Sequence, residues 1–229
     1  MRLSTGKQQP RAAGLFADLT ALFLAEGFLH LTTDEIARRL RCSKTTLYAL
    51  GPSREALRGT VVQRYLDRVR ADGVAAATQA ADWTSALIGL LGAGAAAARE
   101  ASWEFVRDIR LHPASQRLLL RHQRQRVTDL ERLLEAGMRQ GAFRGLHPRL
   151  VAELLLTMIG KVFEPQLLTD VGLSLGEAYD EAYRMVEFGL IPRQPALGSV
   201  AGSAPRRRRE AGKAKPGPAL RRVLQPVKL

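Results

Sequence analysis

A single cysteine, Cys42, stands in 229 residues, so no internal disulfide can form. With no apolar N-terminal stretch of the kind a secretory signal needs, the expected location is the cytoplasm. Aromatic residues make up only 6% of the chain, Ala and Leu are abundant, and Pro and Gly recur at intervals of roughly 15–25 residues. That texture favours helices and excludes an all-β sandwich. The longest apolar run, residues 93–98, falls far short of the ~20 residues needed to cross a bilayer. The four histidines, His30, His112, His122 and His147, show neither an H-E-x-x-H pattern nor Cys partners at ligand spacing, so no metal site is expected. Neither G-x-S-x-G nor a glycine-rich phosphate loop appears, so there is no nucleophile for an enzyme and no cofactor is expected. Gly92-Ala93-Gly94-Ala95-Ala96-Ala97 fits a loose G-x-G-x-x-A, but no strand-helix-strand pattern surrounds it, and close helix packing explains it better.

Positive charge is present in excess. The formal net charge is +13, distributed as +5 over residues 1–65, −1 over 66–192 and +9 over 193–229. Two basic ends flanking a neutral middle imply a polyanionic partner.

Hydrophobic periodicity organises the rest. Leu15, Phe16, Leu19, Leu22 and Phe23 recur at helical spacing, and Gly27 stands where a C-terminal cap belongs. Thr32-Thr33-Asp34-Glu35 forms a Thr-x-x-Glu capping box for a short second helix carrying Ile36, Ala37 and Leu40. Arg41-Cys42-Ser43 is a tight break, after which Ser43 caps a third helix starting at Lys44 with Leu47 and Leu50 inward. Ser53 opens a long fourth helix reaching the Ala-rich region near Ala77. Further helices are expected over 83–98, 102–111 and 114–140, from Pro148 onward with Pro165 ending or kinking it, and over 175–190 behind the Ser174-x-x-Glu177 capping box.

Three short helices, the second and third joined by a three-residue break, match a helix-turn-helix layout. The run from Leu31 to Tyr48, followed by Pro52-Ser53-Arg54-Glu55-Ala56-Leu57 and preceded by Ala21-Leu22-Phe23-Leu24-Ala25-Glu26-Gly27-Phe28, resembles the DNA-binding domain of the tetracycline-repressor (TetR) family over about residues 12–66. The chain departs from that family's pattern at Arg41-Cys42, where the turn usually carries Gly-Val. It also departs at Leu50-Gly51, in place of a His/Phe pair, and at Arg54, in place of a Lys.

The resemblance implies an all-α, homodimeric, ligand-responsive regulator. Its parts would be a flexible arm (1–10), a helix-turn-helix domain (11–58), an effector-binding and dimerisation domain (59–192) joined by the long helix, and a disordered basic tail (193–229). By chemistry and position, Lys44, Thr45 and Thr46 would reach base edges. Thr33, Ser43, Tyr48 and Arg54 suit phosphates, and Arg41 suits either role. Thr33 and Ser43 also read as helix caps, and Cys42 as a small buried hydrophobe. Candidates to line an effector pocket are Trp83, Leu87, Trp103, Phe105, Ile109, Met138, Met158 and Phe163, each equally readable as core. The last two helices, about 148–168 and 175–190, would pair with their two-fold mates. The function expected is a dimeric repressor of a palindromic operator, responsive to a small molecule. The rival is a non-sequence-specific DNA-coating protein, favoured by the polybasic residues Arg206, Arg207, Arg208, Arg209, Lys213, Lys215, Arg221 and Arg222.

Overall fold

The computed structural model describes residues 8–162 and 164–191, together with Leu224. Among the described residues there are ten α-helices and no strand: α1 (Gln8–Glu26), α2 (Thr33–Arg39), α3 (Lys44–Tyr48), α4 (Arg54–Gln79), α5 (Trp83–Glu100), α6 (Trp103–Leu111), α7 (Pro113–Arg139), α8 (Pro148–Val162), α9 (Pro165–Val171) and α10 (Leu175–Leu190).

The helix starts follow local chemistry. Thr32 caps α2 in a complete capping box, its backbone N–H donating to Glu35 Oε2 at 2.8 Å. Thr32, and not Thr33, is therefore the cap. Ser43 accepts from the Thr46 N–H at 3.0 Å, Ser53 from Ala56 at 3.1 Å and Ser102 from Phe105 at 3.2 Å. The Ser174 box closes as expected, with Glu177 Oε2 accepting from the Ser174 N–H at 2.9 Å. Side-chain acceptors thus satisfy the amides that each first turn leaves without intrahelical partners.

The chain divides into two compact units. The first contains residues up to Val69 and Ala95–Gln123, the second Arg70–Gly94 and the residues from Arg124 on. The boundary expected after residue 58 is therefore displaced, and the reason is continuity: α4, α5 and α7 each contribute to both units, so no linker marks the division. The first unit's core gathers Leu19, Phe23, Phe28, Leu31, Ile36, Leu47, Leu57, Val61, Phe105 and Ile109, with α1 against α6 and α2 against α3. The second gathers Trp83, Leu87, Leu91, Val127, Leu130, Leu134, Leu155 and Val186, with α8 against both α9 and α10.

Three expectations need correction. α1 begins at Gln8, so residues 8–10 of the expected arm are helical. The helix from Pro148 stops at Val162, and Pro165 opens a separate helix, α9, because proline tolerates a first-turn position and not an interior one. Of the expected disordered tail, Leu224 is the only described residue, and it is buried in the second unit's core. Disorder fails there because the residue carries apolar surface that the core covers. The rest of the tail and Phe163 lie outside the described residues.

Candidate nucleic-acid interface

A helix of five residues has no independent stability in water, because its nucleation cost exceeds what so few hydrogen bonds return. α3 therefore depends on its anchors. Leu47 is fully buried in the first unit's core, a gain of about 1.5–3 kcal/mol for a leucine, and Ser43 caps the leading turn. This fixes one face inward and leaves Lys44, Thr45, Thr46 and Tyr48 exposed.

Several of the site residues named from the sequence are brought into contact. Lys44 Nζ forms an ion pair with Asp34 Oδ1 at 2.5 Å. The hydrogen bond and charge of Asp34 push the Lys44 amine above its ordinary value, so it remains cationic across neutral pH. The Tyr48 hydroxyl lies 3.5 Å from Thr33 Oγ1, and Ser43 Oγ lies 2.8 Å from Thr46 Oγ1. Tyr48 is 41% exposed and is not a core aromatic. Arg54 is exposed, with Nη1 3.5 Å from the Leu31 carbonyl oxygen. Arg41 is exposed as well, and Cys42 is partly buried against the core, where burial raises its thiol pKa and keeps it protonated.

The turn between α2 and α3 holds Arg41 at a φ of 50°. A left-handed conformation crowds the Cβ of any L-residue and costs roughly 1–2 kcal/mol, which glycine avoids. Arg41→Gly is accordingly expected to raise Tm by a few degrees in a calorimetric scan; an unchanged or lower Tm would show that the arginine is not strained.

Sequence reasoning missed a polar cluster behind this surface. The turn leaving α1 passes through Gly27 at a φ of 79°, and a Cβ placed there would sit 2.7 Å from Asp108 Oδ2. Only glycine permits that approach. Asp108, buried on α6, accepts from the Phe28 and Leu29 N–H groups at 2.7 and 2.8 Å. Arg58 of α4, also buried, donates through Nη2 to the Phe28 and Leu29 carbonyl oxygens at 3.0 and 3.3 Å. Its Nη1 meets Glu55 Oε1 at 3.0 Å, and His112 Nε2 lies 2.7 Å from Glu55 Oε2. Burial and the charge of Arg54 push the Arg58 pKa down, while Glu55 and Asp108 oppose the shift. All four backbone polar groups of residues 28 and 29 are thus taken by two charged side chains from α4 and α6. A signal existed in the sequence: Asp108 lies between Phe105 and Ile109 on the apolar side of its helix, a place a carboxylate occupies only with partners.

The effector-pocket candidates do not form one group. Trp83 and Leu87 are buried in the second unit's core, with Met138 and Met158 partly buried against it. Phe105 and Ile109 belong to the first unit's core, where Phe105 packs edge-to-face on Phe28 and Tyr65. Trp103 is 45% exposed. Helical spacing alone does not tell which core an apolar side chain joins. No group of three or more His, Cys, Asp or Glu among the described residues is placed to hold a metal, and none of the described helices is long and apolar enough to cross a membrane.

Comparison with known proteins finds the same architecture. A structure described as a transcriptional regulator from Saccharomonospora viridis, in complex with choline, superposes with a TM-score of 0.69 at 17% identity, covering 81% of this chain and 100% of that one. A TetR-family transcriptional regulator from Mesorhizobium loti gives 0.59 at 20% identity, covering 80% and 96%. The TetR-family regulator PfmR from Thermus thermophilus gives 0.58 at 21% identity, covering 76% and 97%. No protein-family model and no curated protein matches the chain. The chain has the all-α fold of the TetR-family regulators.

Proposed function

We propose that this protein is a sequence-specific transcriptional regulator, acting in the cytoplasm as a homodimeric repressor that grips a palindromic operator and releases it when a small molecule binds. The observation that carries the reading is α3: a short helix held by buried Leu47 and presenting Lys44, Thr45, Thr46 and Tyr48 outward. The first turn of such a helix suits base edges, with lysine for guanine acceptors and threonine methyls for thymine. Thr33, Ser43, Tyr48, Arg54 and Arg41 supply hydroxyls and cations for the flanking phosphates. The fold shared with DNA-binding regulators supports the same reading.

Four large apolar side chains, Leu150 and Leu154 of α8 with Met185 and Phe188 of α10, are exposed on two helices that pack together. A second copy of the chain is their proposed cover, since an isologous interface also places two recognition helices on two half-sites. The effector site is proposed for the second unit, around Trp83, Leu87, Met138 and Met158. The indole Nε1 of Trp83 is buried there without a hydrogen-bond partner among the described residues, a donor left for a ligand or a water. A neighbour crystallised with choline makes a small-molecule effector reasonable. Residues 193–229, outside the described structure apart from Leu224, carry a charge of +9 and are proposed to add sequence-independent affinity.

The test is a gel-shift titration at fixed salt on the operator. Replacing Lys44 and Tyr48 together by alanine is expected to weaken binding about 10- to 100-fold, with the helical circular-dichroism signal unchanged because both side chains are exposed. Unaltered affinity would reject the assignment. Loss of affinity for operator and random DNA alike, with no preference between them in the parent protein, would favour the coating protein instead.

A further inference from the structure

Arginines in the second unit are matched to carboxylates with one exception. Arg70 holds the buried Asp129 through two hydrogen bonds of 2.7 and 3.0 Å, and Arg149 pairs with Glu131 and Glu153 at 3.1 and 3.0 Å. Arg126 of α7 is partly buried, yet no carboxylate among the described residues pairs with it. Its single hydrogen bond runs from Nη2 to the Leu91 carbonyl oxygen at 3.4 Å, a long contact for a group with five N–H donors. Burial depresses its pKa, and the charge of Asp129, which opposes that shift, is already engaged by Arg70.

The surroundings make room for this cation. A Cβ at Gly94 would sit 2.9 Å from Arg126 Nη1, and one at Gly92 would sit 3.2 Å from the Tyr183 hydroxyl. The Gly92-x-Gly94 spacing therefore places the guanidinium and a tyrosine hydroxyl against one stretch of α5 backbone. The rings of Tyr179 and Tyr183 lie 5.4 Å apart on α10, and both hydroxyls act electrostatically on Arg126. Leu91, Val127 and Leu130 of the adjoining core are buried and apolar. A partly desolvated cation with spare donors costs stability unless an anion arrives, whereas a hydrophobic residue of the same volume would fill the space without that cost.

We propose that Arg126, with Tyr179 and Tyr183, is the anion-recognition point of the effector site, and that the effector is a small organic carboxylate with an apolar body. The planar fork of Arg126 meets both carboxylate oxygens, the tyrosine hydroxyls donate to the same oxygens, and the apolar core receives the remainder. This inference rests on the proposed reading of the second unit as effector-binding, and the fork excludes a quaternary ammonium ligand by charge.

The experiment is calorimetric titration of the full-length protein with hexanoate, decanoate and phenylacetate, each against its own amide, and with inorganic phosphate and choline. At least one acid is expected to bind, with its amide about 10- to 100-fold weaker, the range that one or two charge-assisted hydrogen bonds supply. Arg126→Gln and Arg126→Met should each reduce acid binding to the level of the amide. Ligand-free Arg126→Met should also melt no lower than the parent, because it removes an uncompensated cation. The proposal is overturned if no acid binds up to millimolar concentration, if acid and amide bind alike, if only phosphate or choline binds, or if Arg126→Met melts several degrees lower. A parallel gel shift separates the two claims. Operator binding without acid preference sinks the inference alone, and acid preference without operator binding sinks the regulatory reading alone.

Discussion

Asp108→Ala is expected to lower stability by about 3–5 kcal/mol, the largest loss that any single truncation in the first unit should produce. The substitution strips the Phe28 and Leu29 amides of their acceptor and leaves the buried Arg58 with only exposed Glu55 as an anionic partner. For a protein of this length the loss corresponds to roughly 10 °C or more in Tm. Asp108→Asn keeps an oxygen for both amides and removes only the charge, so it should cost distinctly less. A scan in which the alanine variant melts within about 2 °C of the parent would show that the cluster does not hold the turn. The functional consequence follows from position: the turn after Gly27 connects α1 to α2, which packs on the recognition helix, so loosening it should also weaken operator binding.

The second large effect concerns assembly. Leu154→Arg combined with Phe188→Arg places two charges on side chains that are each 59% exposed in the isolated chain. The fold should survive, because neither side chain belongs to the core. Light scattering is expected to move from a dimeric to a monomeric mass at micromolar concentration, and operator affinity to fall about 10³-fold, since one short helix reads too little DNA alone. A retained dimer would place the two-fold interface elsewhere on the surface.

Much of this architecture is legible without coordinates, and the reasons are physical. Capping boxes at Thr32 and Ser174, serine caps at Ser43 and Ser53, and apolar periodicity are local signals, so helix positions follow from sequence to within a few residues. The exposed face of α3 is equally local, because Leu47 alone decides which side turns inward. What the sequence concealed depends on distant partners. α9 was missed because Pro165 fits a helix start as well as a helix end. The grouping of Phe105 with the first core and Trp83 with the second arises from contacts across many residues. The pairing of Asp108 with residues 28 and 29 and the isolation of Arg126 are likewise relations that spacing along one helix does not express.

Selection of bound sequences from random DNA by the full-length protein, with protein-free rounds as control, tests the central claim most directly. Two α3 helices presented by a symmetric dimer predict an enriched consensus with two-fold symmetry, its half-sites about one helical turn or a multiple of it apart. Enrichment of an asymmetric site, or no enrichment over the starting pool, would contradict the account.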